Sequence, residues 1–199
     1  MLKSSFGSGK TEAGCDEAGR GPLAGPVVAA AVILPEDYRN SRLNDSKKLD
    51  KKTLEILEKE VKKDALSWQV AEVGPEEIDE INILNASFLA MHRAIEGLKK
   101  LPELLLIDGN RFKPYKDIPF ECIIKGDGKY MAIAAASILA KTYRDRLMIH
   151  AAQQYPGYGW ETNAGYPTKK HREAIRQLGP TPLHRKSFRL LPEQLDLFT

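Results

Sequence analysis

EAGCDEAGRGPLAGPVVAAAVIL, residues 12–34, is the stretch that decides how this chain folds. Residues 12–18 are short and rich in apolar side chains, and GRGPLAGP then breaks the run with glycine and proline. Residues 27–34 follow as an unbroken apolar run of small and β-branched side chains. The pattern reads as strand, turn, strand. Outward from it, a basic loop RLNDSKK at 42–48 leads to residues 50–64, where Leu54, Leu57 and Val61 recur at helical spacing. Residues 66–73 read as a third strand and 75–100 as helix broken near Ile83. The later part of that helix sets Leu84, Phe88, Met91, Ile95 and Leu98 on one face. Residues 104–108 and 120–124 are two more short strands, 130–154 a long alanine-rich helix and 169–178 another. Three early strands followed by alternating helices and strands predict an α/β domain. Its mixed five-stranded sheet is flanked by helices, with a helical C-terminal region.

The composition excludes several classes. Of 199 residues 29% are charged and aliphatics are plentiful, which argues against disorder. No run approaches the ~18 apolar residues of a membrane span. The opening MLKSSFGSGK lacks the apolar stretch of a secretory signal. Cys15 and Cys122 each sit in an apolar run, so buried free thiols in a reducing cytoplasm are expected. The net charge of +3 is unevenly spread. Residues 125–189 hold twelve Lys or Arg against four Asp or Glu, while 50–124 hold eleven against fifteen. A basic last third suits a polyanion and equally suits a solvated surface.

Four acidic residues stand where apolar strands stop. Asp16 and Glu17 follow Ala13-Gly14-Cys15, Asp108 ends Leu104-Leu105-Leu106-Ile107, and Asp127 follows Ile123-Ile124-Lys125-Gly126. Carboxylates from separate strand ends can gather oxygens around hard cations such as Mg²⁺ or Mn²⁺. Asp108-Gly109 and Asp127-Gly128 also read as plain turns. Asp16 and Glu17, being adjacent, face opposite ways in a regular strand unless it ends or distorts there. A two-metal site would suit phosphodiester hydrolysis without a protein nucleophile, and neither GxSxG nor HExxH occurs. GSGKT at residues 7–11 looks like the end of a phosphate loop, but Ser4 stands where that motif needs glycine and no strand precedes it.

Taken in order, the segments resemble ribonuclease HII over nearly the whole chain. They are AGCDEAGRGPLAGPV (13–27), LNDSKKL (43–49), EIDEINILNASFLAM (77–91), LLIDGNR (105–111), IIKGDGKYMAIAAASILAKTYRD (123–145), AGYPTKKH (164–171) and HRKSF (184–188). The resemblance implies a ribonuclease H-like fold, with a catalytic domain over 1–190 and a tail at 191–199. It makes Asp16, Glu17, Asp108 and Asp127 the ligands of a two-ion Mg²⁺ or Mn²⁺ site and leaves Asp145 outside that set. It assigns Gly19, Arg20 and Gly21 to the ribonucleotide, whose 2′-hydroxyl separates RNA from DNA. Tyr166 would pack on the next sugar and enforce an RNA-to-DNA junction. Asn44, Ser46, Lys47, Ser137, Lys141, Arg144 and Arg185 would contact phosphates. The implied substrates are RNA–DNA hybrids and duplex DNA carrying a ribonucleotide, cut on its 5′ side.

His92, His150, His171 and His184 are read as helix-face or capping residues, not ligands. In the tail, Gln194, Leu195, Leu197 and Phe198 resemble the peptide by which bacterial replication proteins dock on the sliding clamp. No membrane partner is expected, and a monomer is. Two rival readings stay open: a DNA nuclease sharing the fold, and a non-catalytic hybrid-binding module.

Overall fold

The computed structural model describes every residue except Met1, Ser8, Asp45, Lys47, Lys48 and 193–199. Strands β1 (Glu12–Ala18) and β2 (Val27–Ile33) form an antiparallel pair across the GRGPLAGP turn. Helix α1 (Lys51–Asp64), strand β3 (Ser67–Val73), helix α2 (Pro75–Glu96), and strands β4 (Leu104–Asp108) and β5 (Phe120–Ile123) follow. Three helices complete the chain: α3 (Met131–Gln154), α4 (Trp160–Asn163) and α5 (Lys169–Leu178). The sheet order is β3-β2-β1-β4-β5, and only β2 runs against the others. The mixed five-stranded sheet is the one the sequence predicts.

Both faces of the sheet are covered, which is why all seven residues of β2 are buried and apolar. On one face Ala13, Cys15, Ala29, Ala31, Leu105 and Ile107 meet the Ile78, Ala90, Met91 and Ile95 side of α2. On the other, Val28, Ala30 and Val32 meet α1 and the alanine-rich start of α3. The alanines permit close approach. A Cβ on Gly14 of β1 would stand 2.2 Å from the Ala132 carbonyl carbon, so only glycine lets β1 lie this near α3.

Helix α2 bends where the sequence indicated, one residue earlier. Asn82 takes φ 64° and ψ 162°, and its Oδ1 accepts from the backbone of Leu84 and Asn85 at 3.0 and 3.2 Å. Asn82 thus caps the second half of the helix from within. The helix closes at Glu96 before Gly97, short of the predicted residue 100. A smaller apolar cluster (Leu23, Ala24, Met148, Tyr158, Trp160, Ile175, Leu190) fastens the C-terminal helices to the GRGPLAGP turn. Cys15 is buried, Cys122 half-buried, and both are free. Among the described residues no helix is long and apolar enough to cross a membrane.

Candidate active site

Parallel strands β1 and β4 are neighbours whose ladder ends at the pair Cys15–Ile107. Asp16 and Asp108 are the next residue of each strand, so two carboxylates meet at the strands' carboxyl ends. The crevice beyond such strand ends is where α/β sheets place ligands. Asp16 is 5% exposed and belongs to the α3 face of β1. Beyond Cys15, β1 stays paired with β2 alone, as Glu17 opposite Ala29. Glu17 therefore stands free of β4 and lines a cleft of about 300 Å³ with Arg20, Asp108, Asn110, Arg111 and the Leu84, Ser87 and Phe88 side of α2. The expected distortion at Glu17 is in fact a parting of two strands: β1 remains regular while its neighbour turns away.

The fourth carboxylate comes from the chain after β5. Lys125 adopts a left-handed conformation, and Gly126–Gly128 forms a single 3-10 turn that carries Asp127, 6% exposed, into the start of α3. The turn is fastened to β4, since the Gly126 N–H donates to Asp108 Oδ1 at 2.6 Å.

The electrostatics are those of a site short of positive charge. Burial, then the charges of Glu17 and Asp108, hold the Asp16 carboxyl well above the usual carboxylate range. Hydrogen bonds from Ser137 and from the Glu17 N–H (2.7 Å) oppose this without cancelling it. Burial also raises Glu17; Arg20, 3.3 Å away, pulls it down and Asp108 pushes it up. Among the described residues these groups do not close into a cage of three or more ligands. They are nonetheless an all-oxygen donor set in which Asp16, Glu17 and Asp108 repel one another, which fits hard divalent cations.

The residues expected to read the sugar are brought together. Gly19 takes φ 93°, and a Cβ there would meet Arg144 Nε at 2.1 Å and the Pro26 carbonyl at 2.9 Å. Tyr166 is 47% exposed, and a Cβ built on Gly21 would stand 3.6 Å from its ring. Arg20 reaches from the same turn to Glu17.

Several expected phosphate contacts are placed elsewhere. Arg144 and Arg185 are 2% and 0% exposed, and their guanidinium donors are spent on backbone carbonyls. Arg144 donates to Ala24, Pro26 and Ala164 at 3.0–3.1 Å. Arg185 donates to Gly19, Arg20 and Gly25 at 2.6–3.0 Å. Burial lowers their pKa values to about 10 and about 9. Both arginines hold the loop through these bonds. Ser46 and Ser137 are also buried, and their hydroxyls lie 2.9 Å apart. Their place is behind the carboxylates. Lys141 is half-exposed and paired with Asp145 at 2.9 Å, and Asn44 is exposed. Lys47, Gln194, Leu195, Leu197 and Phe198 lie outside the described residues. Among the described residues of 7–11, the Gly7 N–H donates to Ser5 Oγ at 2.9 Å and the Thr11 N–H to the Glu103 carboxylate at 2.8 Å.

Sequence reasoning missed the buried pair His171 and His184, 0% and 1% exposed, which sit among Tyr158 and Trp160. Both histidines were visible in the sequence, but nothing local signals that two distant helical-region residues meet.

Fold and site together define a hydrolase of ribonuclease H-like architecture, with carboxylates at the ends of the two central strands. The ribonuclease HII family profile matches residues 13–191. Ribonuclease HII of Parabacteroides distasonis is 64% identical over 197 residues, covering 99% of both chains. Ribonuclease H2 of Pyrococcus horikoshii superposes with TM-score 0.75 at 28% identity, covering 90% of this chain and 94% of that one. Ribonuclease HII of Archaeoglobus fulgidus, solved in complex with PCNA, gives TM-score 0.76 at 27% identity over 94% and 98%. The chain belongs to the ribonuclease HII family, and it is an enzyme that hydrolyses phosphodiester bonds in RNA.

Proposed function

We propose that this enzyme cleaves the RNA strand of RNA–DNA hybrids and incises duplex DNA on the 5′ side of single embedded ribonucleotides, leaving 5′-phosphate and 3′-hydroxyl ends. The observation that carries the reading is the adjacency of two parts. Carboxylates Asp16, Glu17 and Asp108 stand at the ends of β1 and β4, and the glycine turn that follows Glu17 abuts the exposed Tyr166 ring. A nuclease indifferent to the 2′-hydroxyl has no use for a backbone-lined turn beside an aromatic wall. A binding module has no use for buried carboxylates held in mutual repulsion.

Asp16, Glu17, Asp108 and Asp127 would hold two Mg²⁺ or Mn²⁺ ions, which supply Lewis acidity and charge neutralisation for in-line hydrolysis. The protein's own share is positional. Ser137 and the Glu17 amide orient Asp16, and the Gly126 amide orients Asp108. Backbone groups of residues 19–21 approach the sugar, and Tyr166 offers a flat face to its neighbour. We assign the enzyme to the cytoplasm on its two free thiols. The tail residues Gln194, Leu195, Leu197 and Phe198 would dock on a sliding clamp, a reading supported by the PCNA complex of the Archaeoglobus relative. Deleting 194–199 should abolish clamp binding, and unchanged affinity would refute that assignment.

The activity is tested with an end-labelled DNA duplex containing one ribonucleotide and with an all-DNA duplex, each with Mn²⁺ or EDTA. The expected outcome is a single incision 5′ to the ribonucleotide, lost in EDTA and absent from all-DNA. Cutting of all-DNA would favour the DNA nuclease, and EDTA-resistant binding without cutting the hybrid-binding module.

A further inference from the structure

The two elements assigned above to ribonucleotide reading, residues 19–21 and Tyr166, belong to different parts of the chain, so something must hold them in register. A third segment does so. Leu23 N–H donates to the Gly165 carbonyl, Gly25 N–H to the Leu183 carbonyl, and Arg185 N–H to the Leu23 carbonyl, all at 2.8–2.9 Å. Residues 22–25 therefore run between the Tyr166 loop on one side and residues 183–185 on the other.

From this segment two adjacent side chains reach in different directions. Arg185 grips the Gly19 carbonyl at 2.6 Å, the Arg20 carbonyl at 2.9 Å and the Gly25 carbonyl at 3.0 Å. Its guanidinium plane is backed by the Phe188 ring at 5.0 Å. His184 leads the other way, and its partners fix every proton on the route. Thr181 N–H donates to His184 Nδ1 at 2.8 Å, so His184 carries its proton on Nε2. That proton lies toward His171 Nε2, 3.2 Å away, whose one lone pair it shares with the shorter bond from Trp160 Nε1 at 2.9 Å. His171 Nδ1 is then the protonated atom, and it donates to the Tyr166 carbonyl at 2.9 Å. The base of the segment is pinned to α2, where Asp79 accepts from the Lys186 and Ser187 N–H groups at 2.9 Å.

We propose that His184 and Arg185 are the positioning residues of the ribonucleotide-reading wall: Arg185 sets the carbonyls of the glycine turn, and His184 sets Tyr166 through His171. The proposal rests on the reading of that wall given above. It makes Arg185 a fork that shapes the turn. A phosphate contact would instead need its donors free of these carbonyls.

The test uses the full-length chain with four variants. Arg185→Lys keeps the charge and loses the fork, and Arg185→Met loses both. His171→Asn keeps a donor near the Nδ1 position, and His171→Gln moves the polar group away from Tyr166. Peptide-resolved amide exchange reads residues 19–25 and 164–166. The ratio of kcat/KM on a single-ribonucleotide duplex to that on a uniform RNA–DNA hybrid reads the wall. Arg185→Lys and Arg185→Met should both speed exchange at 19–25 about tenfold and lower the ratio about fivefold, the scale of lost hydrogen bonds. His171→Gln should do the same at 164–166, whereas His171→Asn should keep the ratio within about twofold of wild type.

Unchanged exchange in Arg185→Lys and His171→Gln would overturn the proposal. So would folded variants whose activity falls equally on both substrates. Wild-type behaviour in Arg185→Lys, with loss in Arg185→Met alone, would return Arg185 to a charge role. A wild-type enzyme that cuts neither substrate would defeat the reading of the wall. Exchange would then still decide whether these residues hold it.

Discussion

Asp16 and Arg185 are both buried charges close to one glycine turn, and their surroundings treat them in opposite ways. Asp16 faces Glu17 and Asp108, charges of its own sign, with only two hydrogen bonds to offset them. Arg185 faces three carbonyls, and each nitrogen of its guanidinium has a partner. One region is electrostatically unfinished and the other complete. Crowded like charges cost stability unless a cation arrives, which is what the catalytic role proposed for the carboxylate end requires. Burying Arg185 is costly, since desolvation and the neighbouring Arg144 lower its pKa to about 9, but its three carbonyl partners tie down what it touches, which suits residues 183–185 to a scaffold role.

The contrast can be broken by substitution. The largest effect should come from Asp16→Asn, which preserves the shape and one acceptor oxygen for the Glu17 N–H but removes the negative charge. Turnover should fall about 1000-fold in single-turnover incision, the scale of losing a group aimed at the reacting charge. The same change should raise the melting temperature of the metal-free protein, because repulsion is relieved. Arg185→Met should act in the reverse sense on stability. Three carbonyls lose their donor, and the urea midpoint should fall by an amount equivalent to about 3 kcal/mol.

Acid sharpens the difference. Burial and the neighbouring His171 lower the pKa of His184 from 6.5 to about 4. The folded state therefore resists a proton that the unfolded chain accepts. The neutral pair's contribution is complete above about pH 6.5 and is lost as the pH falls toward about 4. A chemical-denaturation series should show a loss of about 2 kcal/mol across that window, reduced in His184→Gln. The smallest effect should lie outside both regions. Glu58 is held at about 2 by Arg146 and Lys62 despite its burial. Arg146 is half-exposed, so Glu58→Gln should cost only about 1 kcal/mol at neutral pH, in the same denaturation assay.

How far the sequence speaks differs between the two regions as well. Strand ends and their carboxylates were legible because apolar runs that stop at Asp are local patterns. The sheet followed from the same runs, and the break in α2 was legible near Ile83, one residue from Asn82, where the structure bends. What escaped was long-range. That β4 leaves β1 just where Glu17 needs room depends on the register Cys15–Ile107, which no local pattern encodes. Arg144 and Arg185 look like surface cations in a basic third of the chain. Only the fold shows them 118 to 166 residues from the carbonyls they bind on the glycine turn. The His171–His184 contact is invisible for the same reason, since it forms across the turn between α5 and the following segment.

The most direct test of this account is the melting temperature of wild-type and Asp16→Asn protein, each titrated with Mn²⁺ in the absence of nucleic acid. Wild type should gain several degrees as the ion neutralises the carboxylates, whereas Asp16→Asn should start higher and gain little. A wild-type melting temperature indifferent to Mn²⁺, together with a destabilised Asp16→Asn, would contradict it. Asp16 would then be an ordinary structural carboxylate, and the strand ends would not be the catalytic centre.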